Sequence, residues 1–221
     1  MSLQAELTAF HADFIHKVPA EMAAAMTQAD LNLSASGILD RASKAGDRAP
    51  LFTLPNSRDG ATSLAEALTA GPVVLSFYRG GWCPYCNLEL RALQKALPDF
   101  TALGASLIAV SPQTPDQSLS TVERNDLAFA VLSDTGSAAA KAYGIAFDLA
   151  EELHLIYAKL GQASPDRNGD GGWVLPLPAT YVIDRDGIIA FAYVDVDFRN
   201  RLEPATITAT LAALARRTWL R

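Results

Sequence analysis

Two cysteines three positions apart, Cys83 and Cys86, are the only thiols in a chain of 221 residues. A disulfide between them would close too short a loop to restrict much unfolded chain, so it would add little as a staple. Reversible chemistry is the better use, because residues three apart on a helix are neighbours within the Cα separation a disulfide tolerates. In a reducing compartment such a pair is more often catalytic, redox-sensing or metal-binding than structural. Zinc would need two more soft ligands, and His11, His16 and His154 lie beside no other ligand type. His154 alone, on a helix, reads as a surface residue rather than an activating base. The sequence asks for no metal and no cofactor.

The flanking residues say how the pair is held. Val73-Val74-Leu75-Ser76-Phe77-Tyr78 reads as a buried strand, Arg79-Gly80-Gly81-Trp82 as a loop, and Pro84 to Leu97 as a helix with Leu90, Leu93 and Leu97 on one face. Both sulfurs then sit on the first helical turn, where free amides and the positive end of the dipole stabilise a thiolate. With Cys83 at the cap, its sulfur can accept from amides near Tyr85 and Cys86 and should have the lower pKa of the two. Trp82 adjoins the pair and should report its redox state.

Further elements alternate around this unit. Ser106 to Val110 is a strand, Pro115 to Asp126 a helix, Ala128 to Leu132 a strand, Gly136 to Tyr143 and Ala150 to Leu160 helices. Ala179 to Asp184 and Ile188 to Val194 form a hairpin across Arg185-Asp186-Gly187. Pro204 opens a last helix with Ile207, Leu211 and Leu214 inward and Arg216 and Arg217 near its end. Asp166-Arg167-Asn168-Gly169-Asp170-Gly171 resembles the start of a calcium loop, but its twelfth position is Leu177 where a bidentate Glu is required, so it reads as a turn. Before residue 45 the chain is Ala-rich, with Leu3, Leu7, Phe10 and Phe14 at helical spacing and a second helix over Ala20 to Ala29. The expected organisation is a helical extension over 1–44, packed on a domain over 45–221.

Half the residues are hydrophobic, enough for one large core, and the net charge of -6 argues against nucleic acid as a partner. No apolar run approaches the ~18 residues of a membrane span. No export signal is legible, and a cytoplasmic protein is expected.

With strand, Trp82-Cys83-Pro84-Tyr85-Cys86 and helix in place, the chain resembles the thioredoxin superfamily, specifically its peroxiredoxin-like branch (alkyl hydroperoxide reductase C and thiol-specific antioxidant proteins) in the group with a Cys-x-x-Cys motif. Gly46-Asp47-Arg48-Ala49-Pro50 through Pro55 is similar to that branch's first hairpin. Leu132-Ser133-Asp134 with Ala142-Tyr143-Gly144 resembles its middle segment, and Ala179 to Asp184 followed by Asp186-Gly187 its final hairpin. The resemblance implies an α/β three-layer thioredoxin-like fold with a central mixed sheet. It aligns the peroxidatic cysteine with Cys86, with Glu89 also matching, but puts Arg79 where the motif has Pro and Cys83 where it has Thr. The branch's arginine aligns with Pro178, which resembles instead the cis-proline that faces the cysteines in thioredoxins. Arg79 is then the best substitute donor, and Pro178 is expected to be cis and to pair with substrate backbone.

Three functions follow from the resemblance. The leading one is a thioredoxin-dependent peroxidase in which Cys86 meets the peroxide, Cys83 condenses with it, and an external dithiol resets the pair. The second is a disulfide oxidoreductase led by Cys83, and the third a redox sensor whose disulfide gates a partner. The resemblance also allows a homodimer.

Overall fold

A computed structural model describes residues 2–161 and 165–218. Three helices open it: α1 (Leu3–Lys17), α2 (Ala20–Ala35) and the single turn α3 (Ile38–Arg41). A hairpin of β1 (Thr53–Pro55) and β2 (Ala61–Ser63) leads into α4 (Leu64–Ala70), then β3 (Val73–Phe77), α5 (Pro84–Ala102), β4 (Ser106–Ser111), α6 (Pro115–Asn125) and β5 (Ala130–Ser133). There follow α7 (Ala138–Ala142), β6 (Ala146–Asp148), α8 (Glu151–Lys159), α9 (Pro165–Asn168), β7 (Val174–Pro176), β8 (Ala179–Ile183), β9 (Ile189–Val194) and α10 (Pro204–Thr218).

The central sheet runs β5-β4-β3-β8-β9. Its first three strands are mutually parallel, and β8 and β9 are antiparallel to their neighbours. β3 lies at the centre and is buried along its whole length, which is why its sequence is a continuous apolar run rather than an alternating one. Val74 and Tyr78 face a core shared with α5, α6, α8 and α10, while Val73, Leu75 and Phe77 face one shared with α3, α4 and α7. This is the three-layer α/β arrangement with a mixed sheet expected from the sequence. The register sets Phe77 opposite Ala179, so the ends of β3 and the start of β8 meet where the cysteine loop begins.

The N-terminal helices pack on the body. Ser2 caps α1 by accepting from the Ala5 amide at 3.2 Å, and Leu3 and Leu7 are buried in the core that holds Leu90 and Leu93. Each such leucine contributes about 1.5–3 kcal/mol of burial. α2 is longer than expected, reaching Ala35.

Helix α5 also outruns its expected end at Leu97, continuing through Pro98 to Ala102. The proline removes one backbone hydrogen bond, normally a cost of about 3 kcal/mol. Phe100, fully buried beyond it, and the Thr101 hydroxyl, which donates to the Leu97 carbonyl at 2.9 Å, hold the last turn in place. The side chains of Asp166 and Arg217 lie outside the described residues.

Candidate active site

The cysteine loop is pinned from several sides. Gly80 has φ +147°, a conformation that favours glycine, and a Cβ there would stand 2.3 Å from the Trp82 indole nitrogen. Gly81 is pressed against α6, where a Cβ would meet the Thr121 hydroxyl at 2.1 Å. Its amide donates to Gln113 Oε1 at 2.7 Å, and its carbonyl accepts from Asn87 Nδ2 at 2.9 Å and Arg124 Nη1 at 3.1 Å. With the loop held, Cys83 falls at the N-cap of α5 with Pro84 at the first helical position, as predicted. Its sulfur forms no capping hydrogen bond. Both cysteines are free thiols and both are buried, at 2% and 0% exposure.

The two sulfurs titrate apart. Burial pushes Cys83 up, but the Cys86 thiol, the guanidinium groups of Arg79 and Arg201 and the Cys86 amide together outweigh it and bring the pKa down to about 6. Burial raises Cys86 well above the ordinary thiol range, and the hydrogen bond and charge of Cys83 raise it further against the pull of the two arginines. At neutral pH the pair therefore carries one proton, held on Cys86, and one negative charge, held on Cys83. The lower pKa falls on the cysteine that helix electrostatics indicated.

Arg201 lies between β9 and α10, 115 residues from Cys86 in sequence, yet its Nη2 donates to the Cys86 sulfur at 3.4 Å. Its Nε donates to Glu89 at 2.7 Å in a buried ion pair, and Nη1 donates to the carbonyls of Phe198 and Asn200. Every face of the guanidinium is thus fixed. Glu89, one turn beyond Cys86, has its pKa raised to about 7, because burial outweighs the attraction of Arg201. The sequence reading missed Arg201. Its available signal was Glu89 itself, an acid among the inward positions of α5 that a buried helix face leaves unpaired unless a cation arrives.

Arg79 is 3% exposed. Its guanidinium carbon lies 4.4 Å from the Phe198 ring centroid and 5.2 Å from those of Trp82 and Tyr157, and Nη2 donates to the Tyr157 hydroxyl at 2.7 Å. Trp82 packs edge-on to Tyr157 at 6.1 Å, beside the pair as expected. Pro178 lines the same cavity as Arg79. The expectation of a cis bond to Leu177 is not met: no cis peptide bond occurs among the described residues. The Leu177 amide donates to the Ile145 carbonyl at 2.8 Å and Ala179 starts β8, so Pro178 opens a strand in the ordinary extended way.

The N-terminal helices reach the site as well. Phe10 packs edge-on against Tyr85 at 5.0 Å, and His11 Nδ1 is 3.0 Å from the Tyr85 hydroxyl. His154 instead stacks on Trp173 at 4.1 Å with Nε2 2.8 Å from the Leu149 carbonyl.

Against known proteins, the profile of the AhpC/TSA family matches residues 45–192, two thirds of the chain. The chain belongs to the AhpC/TSA family. Among its relatives, a putative peroxiredoxin of Mycobacterium tuberculosis is 28% identical over 151 residues, covering 68% of this chain and 85% of that protein. A chloroplastic peroxiredoxin Q of Populus jackii is 26% identical over 159 residues, covering 72% and 62% respectively. Solved structures with the same fold include peroxidoxin BcpB of Mycobacterium tuberculosis, with TM-score 0.61 and 23% identity over 77% of this chain and 97% of that one. A reduced 2-Cys peroxiredoxin of Plasmodium vivax has TM-score 0.62 and 21% identity over 80% and 99%. The expected family and the thioredoxin-like fold are both present. The alignment of the family arginine with Pro178 left Arg79 as the best substitute donor, but the fold also brings Arg201 to the pair, with Nη2 3.4 Å from the Cys86 sulfur.

Proposed function

We propose that this AhpC/TSA chain is a thiol-dependent peroxidase whose redox pair is Cys83 and Cys86. The observation that carries the reading is Arg201, a fixed cation 3.4 Å from the Cys86 sulfur. A cation there stabilises a Cys86 thiolate once formed and the charge that develops on oxygen as a peroxide bond breaks. The Cys86 proton first passes to the Cys83 thiolate, against the resting preference of the pair for keeping it on Cys86. Cys86 sulfur then attacks one peroxide oxygen: an S–O bond forms, the O–O bond breaks, and the departing oxygen takes the proton from Cys83 and leaves as an alcohol or water, which returns Cys83 to its thiolate. Cys83 attacks the resulting sulfenic acid, an S–S bond forms and water leaves. The dithiol has lost two electrons and the peroxide has gained them. A thioredoxin-type dithiol in a reducing, cytoplasmic setting would return the pair to its starting state.

A second reading rests on a specific observation, the low pKa of Cys83 at the helix cap. It makes Cys83 the attacking thiolate on a disulfide and Cys86 the group that releases product.

Mass spectrometry of each Cys→Ser variant after one equivalent of peroxide separates the two. Cys83→Ser should accumulate sulfenic acid on Cys86 and fail to turn over with thioredoxin. Retained peroxide reactivity in Cys86→Ser with loss in Cys83→Ser would reverse the roles. In the wild type, one equivalent of oxidant should yield an intramolecular disulfide and a change in Trp82 fluorescence.

A further inference from the structure

Arg79 lines a cavity of about 180 Å³. Most of its wall is apolar, including Leu33, Phe147, Leu153, Leu177, Val196 and Phe198. An apolar cavity of about 150 Å³ is enough to hold a benzene ring, so this one accommodates an aromatic ring with a short side chain.

The Arg79 guanidinium has no carboxylate partner among the described residues. Among the described residues no carboxylate lies within ion-pair distance of it, and its one hydrogen bond is the one from Nη2 to Tyr157. Nε is buried with no partner. Aromatic faces offset part of the cost of burying this charge, about 0.5–2 kcal/mol each, but they accept no N–H bond at Nε. Arg201, its neighbour in the site, has carboxylate, sulfur and carbonyl partners instead.

We infer that this cavity is a binding site for a small amphipathic carboxylate, with its apolar body against Leu153, Val196 and Phe198 and its carboxylate on Arg79. Asp30 and Asp148 also line the cavity, Asp30 3.6 Å from Arg199, so a carboxylate is favoured only where Arg79 offsets them. The site does not depend on peroxide being the oxidant of the cysteines.

It is coupled to them through one charge. Arg79 also stabilises the Cys83 thiolate, so a bound carboxylate and that thiolate compete for the same guanidinium. Linkage is reciprocal: the ligand raises the Cys83 pKa, and closing the disulfide, which removes the thiolate, tightens the ligand.

The test is titration of 3-phenylpropionate and of its uncharged analogue 3-phenyl-1-propanol into the full chain at pH 7.5, reduced or oxidised with diamide, followed by methyl NMR. Saturable shifts at Leu33, Leu153 and Val196 are expected, with the acid at least tenfold tighter than the alcohol and severalfold tighter on the oxidised form. Arg79→Gln should bind the two alike, and Leu153→Trp, which fills the cavity, neither. An acid no tighter than the alcohol on the wild type, or shifts confined to other residues, overturns the site without any variant. Equal affinities for the two redox forms overturn the coupling.

Discussion

Arg201 and Glu89 form a buried ion pair at 2.7 Å whose cation also donates to Cys86. Removing the cation therefore has two separable effects. Arg201→Gln should slow reaction with peroxide by on the order of a hundredfold, the scale of one lost charge-stabilising donor. It should also destabilise the fold by up to about 3–5 kcal/mol, because an uncompensated carboxyl remains in the core. The double variant with Glu89→Gln should regain much of the stability in urea melts and none of the rate in stopped-flow mixing. Recovery of rate in the double variant would show that Arg201 acts only through packing.

Thiolate absorbance near 240 nm should rise as one thiolate with a midpoint near pH 6, and a second should form only far above the ordinary thiol range. In Cys83→Ser the low transition disappears. Cys86 then titrates lower than in the wild type, because the hydrogen bond and charge that raised it are gone while Arg201 remains. The stability consequence follows from the sign. A depressed Cys83 pKa adds stability to the reduced fold that is fully present above the unfolded thiol value of 9.0 and lost as pH falls through about 6. A single wild-type midpoint above pH 8 would contradict this charge distribution.

Tyr85, inside the cysteine motif, is covered by Phe10 and His11 of α1. Phe10→Ala should cost about 1–3 kcal/mol, since the ring is only partly buried. It should also speed alkylation of the cysteines severalfold by lowering the cost of local opening. Unchanged alkylation in a variant with the expected stability loss would mean that the sulfurs are reached by another route.

Gly81→Ala should destabilise by about 1–3 kcal/mol through overpacking, since the added carbon meets the Thr121 hydroxyl at 2.1 Å. Thr121→Ala removes the hydroxyl and the methyl and leaves only Cβ, 3.1 Å from the added carbon, so the double variant should be more stable than the sum of the single effects. Thermal melts of the four proteins give the coupling directly.

Short-range features of this site were legible in the sequence because local chemistry sets them. Val73 to Phe77 could only be a buried strand, Pro84 suits only the first turn of a helix, and the cap at Cys83 follows from the two. The same holds for the hairpin at Arg185-Asp186-Gly187 and for Pro204 opening α10. Long-range features were not. Arg201 sits in an irregular charged stretch with no periodicity to mark it, and only the folded chain brings it to Cys86. Helix α5 continued past Pro98 because tertiary burial of Phe100 overrode a local breaker. Pro178 looked like a substrate-facing cis-proline by analogy, but its backbone is governed by the start of β8 and the neighbouring Leu177 to Ile145 bond.

The distance between Cys86 and Arg201 also has a meaning in time. A ribosome adding about 5–20 residues per second needs on the order of ten seconds to make the 115 residues that separate them. Throughout that interval the nascent chain carries two thiols without the guanidinium that later holds one of them. Synthesis order thus sets an interval in which Cys86 exists without Arg201, and the emergence of the stretch just before α10 brings that interval to an end.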